Sequence, residues 1–264
     1  MTIKLHLGNC IDVLSTMADK SIDITITSPP YDNLRTYNGN GALWCEDVWR
    51  DCIAELYRVT ADGGVVVWIT DDATTQGSET GTSFRQVLWA MDCGFNLHDT
   101  MIWQKNTSQY HCERHRRYVN VFEYMFVWSK GRPKTVFLLK DRPNKCYGTT
   151  KNVRSHRQPD GTLASVAKQH TTSKFGLRFN VWDIGIGGGK SYQEEYVREH
   201  PAVFPEQLVR DHLLTWSQQG DTVLDPFMGS STTGKVAKQY GRSFIGIELD
   251  TRYYQIAERR INEA

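Results

Sequence analysis

Thr222-Val223-Leu224-Asp225-Pro226-Phe227-Met228-Gly229-Ser230-Ser231-Thr232-Thr233-Gly234 decides the fold of this chain. Short apolar residues run into an acid, and a Gly/Ser/Thr-rich turn then opens a helix over Lys235-Val236-Ala237-Lys238-Gln239-Tyr240. After Gly241 a second apolar strand, Ser243-Phe244-Ile245-Gly246-Ile247, ends in Glu248. This is a βαβ half with an acid closing each strand. In nucleotide-binding sheets an acid about 20 residues beyond the glycines takes ribose hydroxyls, and Glu248 lies nineteen residues after Gly229. Asp225 would repel a phosphate at the turn and suits an amino group instead.

Ser28-Pro29-Pro30-Tyr31, preceded by Thr27, is the second informative stretch. It follows the β-type run Ile22 to Ile26, so it falls at the carboxyl end of a strand, where open α/β sheets build their sites. The prolines fix φ, and Pro30 pushes Pro29 to an extended conformation. A hydroxyl, a prolyl carbonyl and an aromatic ring then face one space. Two acceptors beside a flat ring suit a planar base with an exocyclic amino group; a rigid turn with a packed Tyr reads equally well from this stretch alone. In the first stretch, Asp225 and Glu248 call for a ligand carrying both an ammonium and a ribose, which describes S-adenosylmethionine.

The pair of motifs resembles the β-group of exocyclic-amino DNA methyltransferases, in which a Ser/Asp/Asn-Pro-Pro-Tyr/Phe segment precedes a Phe-x-Gly cofactor segment. The resemblance spans most of the chain. It implies an α/β fold with a doubly wound, Rossmann-like S-adenosylmethionine-dependent methyltransferase sheet and an inserted target-recognition region. It also implies a catalytic set of Ser28, Pro29, Pro30 and Tyr31. The cofactor set would be Asn9, Cys10, Phe204, Pro205, Asp225, Phe227, Gly229, Ser231, Thr232 and Glu248. Gly8-Asn9-Cys10 is similar to the adenine-holding loop, though the family often has an acid at the position of Asn9. His200-Pro201-Ala202-Val203-Phe204-Pro205 is similar to the segment that covers the methionine end. Ser at the first motif position leans toward N4 of cytosine, and Asp or Asn toward N6 of adenine; either base remains open.

The strand order has a physical rationale. The chain begins with the strands expected to hold adenine (Ile3 to Leu7) and the catalytic turn (Ile22 to Ile26), and ends with those for methionine and ribose. That is a circular permutation of the common order, tolerated because domain termini usually lie together at the surface. Residues 1–130 are expected to form the catalytic half, 131–195 the target-recognition region and 196–264 the cofactor half. Within the first half the sequence predicts a helix over Glu46 to Arg58 with Trp49, Ile53, Leu56 and Tyr57 on one face. Asp62-Gly63-Gly64 then leads into a strand over Val65 to Ile69, and a second helix spans Ser83 to Met91. Phe95 to Trp103 and Val119 to Trp128 read as the terminal antiparallel hairpin. A final helix, Pro205 to Ser217, returns the chain to the cofactor strand.

A net charge of +1 hides an asymmetry. Met101 to Asn180 carries sixteen Lys/Arg against four acids, while the remainder is acidic. Such a block is the footprint of a polyanion. Arg114, Arg116, Arg117, Arg154 and Arg157 are the candidate DNA contacts, since Arg reads base edges where Lys mostly meets phosphate. Double-stranded DNA is the expected partner; a homodimer and a companion restriction nuclease fit the family. Six cysteines without a Cys-x-x-Cys point to a reduced cytoplasmic setting. No apolar run approaches membrane-spanning length, and no signal peptide is expected.

Several lookalikes give way. Gly229 to Lys235 has P-loop spacing, but Val236 stands where a Mg²⁺-holding Ser/Thr belongs. Gly185-Ile186-Gly187-Gly188-Gly189-Lys190-Ser191 lacks the first glycine and reads as a loop. His111, Cys112 and His115 lack a second ligand pair, so no metal is expected. Asp71 and Asp72 read as loop-solvating acids. Pro-Cys occurs nowhere, which argues against a C5-cytosine enzyme with a Cys nucleophile. A DNA-binding protein that keeps this fold without catalysis is the competing reading.

Overall fold

The computed structural model describes residues 1–32, 44–106, 117–153, 156–164, 168–186, 192 and 194–264. They form a main unit, 1–137 with 180–264, and a smaller unit, 138–179.

The main unit is built on one eight-stranded sheet among the described residues. Its strands are β1 (Ile3–Leu7), β2 (Ile22–Thr27), β3 (Thr60–Thr70), β4 (Asn96–Gln104), β5 (Phe122–Ser129), β6 (Val181–Asp183), β7 (Thr222–Asp225) and β8 (Ser243–Glu248). The spatial order is β1-β8-β7-β2-β3-β5-β4-β6. The first five in that order run parallel, and β5 lies antiparallel to both β3 and β4. Chain-terminal β8 lies between the N-terminal β1 and β7, so the sheet is permuted as the motif order requires.

Period-two alternation feeds two cores, as a doubly wound sheet demands. Val65, Val67 and Ile69 of β3 pack with α4 (Glu206–Trp216), α5 (Thr232–Gln239) and α6 (Thr251–Glu263) on one face. Val66 and Trp68 point to the other face, against α1 (Cys10–Ser15), α2 (Glu46–Val59) and α3 (Thr82–Asp92). Strand β5 repeats the split, with Met125 and Val127 on the first face and Phe126 and Trp128 on the second. The Trp68 and Trp128 rings stack at 5.2 Å, adding an aromatic contact to the area that they bury. On α2, Trp49, Ile53 and Leu56 are buried as their spacing predicts; Cys52 and Val59 complete the stripe. Tyr57 is half-buried and meets Phe95 edge-on at 5.0 Å.

Three expectations are corrected. Asp62-Gly63-Gly64 is not a lead-in turn but part of β3, which starts at Thr60 and pairs with Ile22 before a register shift. A Cβ on Gly64 would stand 3.0 Å from the Asp23 carbonyl, so only glycine lets the two backbones approach there. The β4–β5 hairpin is present but not terminal, because β6 adds outside it, parallel to β4. Trp182 drives that addition: it is buried, and its ring lies 4.4 Å from that of His212. Asp72 does not solvate a loop. It accepts from the Ser83 N–H at 2.9 Å and the Ser83 hydroxyl at 2.6 Å, tying down the first turn of α3. Burial pushes neighbouring Asp71 up to about 6.

The smaller unit holds short antiparallel ribbons: Arg142–Pro143 with Phe175–Gly176, Thr150–Val153 with Lys168–Thr171, and His156–Arg157 with Leu163–Ala164. It carries nine Lys/Arg against two acids. Arg142 packs over the Phe179 ring at 4.3 Å, so cation–π contact contributes where an apolar core is thin.

Candidate active site

A cavity of about 580 Å³ opens at the carboxyl ends of the parallel strands. Following the sheet order, its wall runs from Gly8, Asn9 and Cys10 after β1, through Glu248 and Leu249 after β8 and Phe227 to Gly229 after β7, to Ser28, Pro30 and Tyr31 after β2. Trp103, Lys105 and Glu123 of the hairpin close one side, and His200 to Phe204 form a further wall. The two motifs, two hundred residues apart in sequence, thus border one space.

Local physics sets each wall. Asn9 is the N-cap of α1, its side-chain oxygen accepting the Ile11 N–H at 2.9 Å, which satisfies a helix-end donor. Asp250 caps α6 in the same way, accepting from the Arg252 and Tyr253 amides. Gly229 has φ +49, and a Cβ there would stand 2.6 Å from the His200 ring. The left-handed backbone favours glycine there, and a side chain would have to displace the His200 ring. Glu248 accepts the Gly229 N–H on one oxygen and the Asp250 N–H on the other, each at 2.9 Å. Burial pushes its carboxyl up to about 7 despite those two donors. Each oxygen keeps a lone pair, the pattern that accepts hydroxyl donors.

Asp225 occupies a different position from the other cofactor candidates. It is 0% exposed and lies off the cavity wall. One oxygen accepts from the Thr27 hydroxyl at 2.7 Å and the Phe227 N–H at 3.1 Å; the other makes no close hydrogen bond among the described residues, with the Thr233 hydroxyl near the carboxylate. Burial pushes it up to about 6. Ser231, Pro205 and Pro29 likewise do not line the cavity, whereas Asn9, Cys10, Phe204, Phe227, Gly229, Thr232 and Glu248 do. Ser231 starts α5 in the left-handed region, φ +58, with its hydroxyl buried and without a hydrogen bond among the described residues.

The P-loop lookalike is resolved by its lysine. Lys235 donates to Glu194 at 2.6 Å and Glu206 at 2.7 Å, and so is committed to carboxylates rather than open to a phosphate. Arg260, 0% exposed, joins the same acids and donates to Thr232 at 2.9 Å.

At the catalytic turn, Ser28 Oγ and Tyr31 Oη lie 2.7 Å apart, and Tyr31 donates to Glu123 at 2.7 Å. Lys105 pairs with the other Glu123 oxygen at 2.5 Å and sits 5.3 Å above the Trp103 ring. Sequence reasoning missed Trp103, Lys105 and Glu123. The signal for Glu123 was present: one acid interrupts the apolar run from Val121 to Trp128.

Of the candidate DNA contacts, Arg114, Arg116 and Arg154 lie outside the described residues, as do His111, Cys112 and His115. Arg117 donates to Glu79 at 2.9 Å and to the Gly77 carbonyl at 2.6 Å. Arg157 is exposed on its ribbon in the smaller unit. Among the described residues, no helix is long and apolar enough to cross a membrane, and no group of three or more His, Cys, Asp or Glu could hold a metal.

A doubly wound, permuted sheet with a Ser-Pro-Pro-Tyr turn and an acid-flanked glycine turn on one cavity defines the amino-methyltransferase class of α/β domain. Residues 22–259 match the family model described as DNA methylase, and the chain belongs to this N6/N4 DNA methylase family. It is 49% identical over 246 residues to the orphan methyltransferase M.BamHII of Bacillus amyloliquefaciens, covering 93% of this chain and 90% of that protein. The fold is similar to that of the cytosine-N4-specific PvuII DNA methyltransferase, with TM-score 0.69 at 18% identity, covering 98% of this chain and 86% of that one. It is also similar to M1.HpyAVI in its SAM complex, with TM-score 0.62 at 22% identity, covering 99% and 100%.

Proposed function

We propose that the chain methylates the exocyclic amino group of a base flipped out of duplex DNA, with S-adenosylmethionine as methyl donor and N4 of cytosine as the first-choice target. The observation that carries this is the sharing of one cavity by Ser28, Pro30 and Tyr31 with Glu248, Gly229 and Asn9.

The wall chemistry fits the cofactor. Glu248 offers carboxylate lone pairs to ribose hydroxyls. Phe227, held edge-on by Trp44 at 5.1 Å, and Phe204 give apolar surface. Asn9 and Cys10 flank the adenine position. Asp225 serves this site from below, by holding Thr27 and the Phe227 amide, rather than by meeting an ammonium. When bound, the cofactor supplies an electrophilic methyl group on a sulfonium.

Everything else is done by the chain. Ser28 Oγ, on the cavity wall, accepts an amino hydrogen and so draws the nitrogen lone pair out of the ring, while Pro29, off the wall, stiffens the turn that aims Ser28 and Tyr31. The Tyr31 ring supports the base. Acceleration comes from positioning and from acceptors aimed at the developing positive charge. A base within the duplex cannot reach the foot of this cavity, so it is extruded, at a cost of a few kcal/mol. The basic smaller unit, with Arg157 exposed on it, supplies the polyanion contacts.

The Ser at position 28 favours N4 of cytosine over N6 of adenine through the family resemblance. M.BamHII carries the name orphan, so a paired nuclease is not part of this reading. Mass spectrometry of nucleosides from plasmid DNA incubated with the protein and S-adenosylmethionine tests it. N4-methylcytosine supports the reading; N6-methyladenine moves the target; DNA binding with neither product would favour the silent DNA-binding protein.

A further inference from the structure

We infer that Glu123, through Tyr31, fixes Ser28 as a pure hydrogen-bond acceptor toward the target amino group and receives the proton that methylation releases. This rests on the amino-methyltransferase reading and adds a role for the Tyr31 hydroxyl that stacking does not require.

Hydrogen-bond arithmetic gives the direction. An ionised carboxylate only accepts, so the Tyr31 hydroxyl donates to Glu123 at 2.7 Å. Its single hydrogen is then spent, and the Tyr31 oxygen can only accept from Ser28 at 2.7 Å. Ser28 in turn has spent its own hydrogen. What Ser28 presents to the cavity is lone pairs alone. An amino group, N4 of cytosine or N6 of adenine, satisfies them; the keto oxygen at the matching position, O4 of thymine or O6 of guanine, would oppose them. The chain thus selects amino-bearing bases as well as orienting them.

Lys105 closes the far end of the chain, donating to the second Glu123 oxygen at 2.5 Å. Glu123 is 8% exposed and interrupts an otherwise apolar strand. Its register partner is Trp103, whose ring lies beneath the Lys105 ammonium. Burying two charges costs more than an apolar pair of similar volume. A purely structural pair would not need to face the cavity or receive Tyr31, and this one does both.

The proton balance closes within the chain. The nitrogen lone pair forms the N–CH₃ bond, and the leaving sulfur keeps the pair of the broken S–CH₃ bond. The cationic nitrogen gives a proton to Ser28 Oγ, Ser28 passes its own to Tyr31, and Tyr31 passes its own to Glu123. Glu123 ends as a carboxylic acid beside the Lys105 ammonium and loses its proton to solvent as product leaves.

The test uses the full chain on unmethylated plasmid DNA with S-adenosylmethionine, comparing wild type, Tyr31→Phe, Glu123→Gln and the double variant. Tyr31→Phe keeps the ring and removes one oxygen, so it remains decisive even if Glu123→Gln folds poorly. Expected is a fall in kcat of about 100-fold or more in each single variant, the usual scale for losing a proton-transfer partner. KM for DNA and for cofactor should stay within about threefold of wild type, and the double variant should be no slower than the slower single one. Tyr31→Phe turning over within about threefold of wild type overturns the inference while leaving the amino-methyltransferase reading intact. No transfer by the wild-type chain overturns that reading, and the inference with it.

Discussion

The Thr27 hydroxyl donates to Asp225 at 2.7 Å across 198 residues of sequence. Thr27 immediately precedes the catalytic turn, and Asp225 ends the strand that leads into the glycine turn. Parallel pairing of β7 with β2, Val223 opposite Ile24 and Leu224 opposite Thr25, brings them side by side. One buried hydrogen bond therefore couples the position of the Ser28–Tyr31 turn to that of the Phe227–Gly229 turn.

Thr27→Val should break this coupling. The isosteric change leaves a fully buried carboxylate with one donor fewer, at a cost of about 1–3 kcal/mol. Urea denaturation should show the lowered stability, and calorimetry should show weaker cofactor binding, although Thr27 itself does not line the cavity. Unchanged values in both would show that the two turns are positioned independently.

Three acids make the ligand-free protein prefer mild acid. Burial raises Glu248 from 4.5 to about 7, and Asp225 and Asp71 each from 3.8 to about 6. A group whose folded value lies above its unfolded value contributes stability that is complete below the unfolded value and lost as pH rises through the folded one. Glu194, lowered to about 2, works in the opposite sense, but its contribution is lost only below about pH 4.5. Melting temperature should therefore fall between pH 5 and pH 8, and Glu248→Gln should flatten that fall. An identical slope in wild type and variant would exclude Glu248 as its source.

The cluster behind α5 should be structural rather than nucleotide-binding. Arg260→Met removes a fully buried guanidinium from Glu194, Glu206 and Thr232, leaving the two acids with Lys235 as their shared cation. A loss of about 3 kcal/mol is expected in denaturation, the scale for breaking one partner of a buried ion pair. Glu206→Gln, on the more exposed partner, should cost less. A Lys235→Met variant that lost measurable ATP binding present in wild type would revive the P-loop reading.

The sheet was legible in the sequence because its signals are local. Val65 to Ile69 and Val223 to Asp225 carry their own apolar runs, and the order of Ser28-Pro29-Pro30-Tyr31 before Phe227-Met228-Gly229 dictates the permutation. Strand β6 was not legible, since three residues around Trp182 have no pattern; they become a strand only because β4 offers an edge and His212 a ring. The site divides in the same way. Glu248 and Gly229, picked out by their spacing, both line the cavity. The link from Ser28 through Tyr31 and Glu123 to Lys105 was not legible, because it is assembled from three strands and exists only after they pair. Asp225 shows the limit of motif reasoning: its spacing picked it out, but it is fully buried off the cavity wall and bonds to Thr27 and the Phe227 amide.

The most direct test of the central claim is a single-turnover measurement of methylated nucleosides by mass spectrometry, comparing wild type and Ser28→Ala with cofactor binding confirmed by calorimetry. The account predicts N4-methylcytosine from wild type, at least about 100-fold slower formation in Ser28→Ala, and similar cofactor affinity in both. Equal rates in the two proteins, or no methylated amino base from a wild-type chain that binds cofactor and DNA, would contradict it.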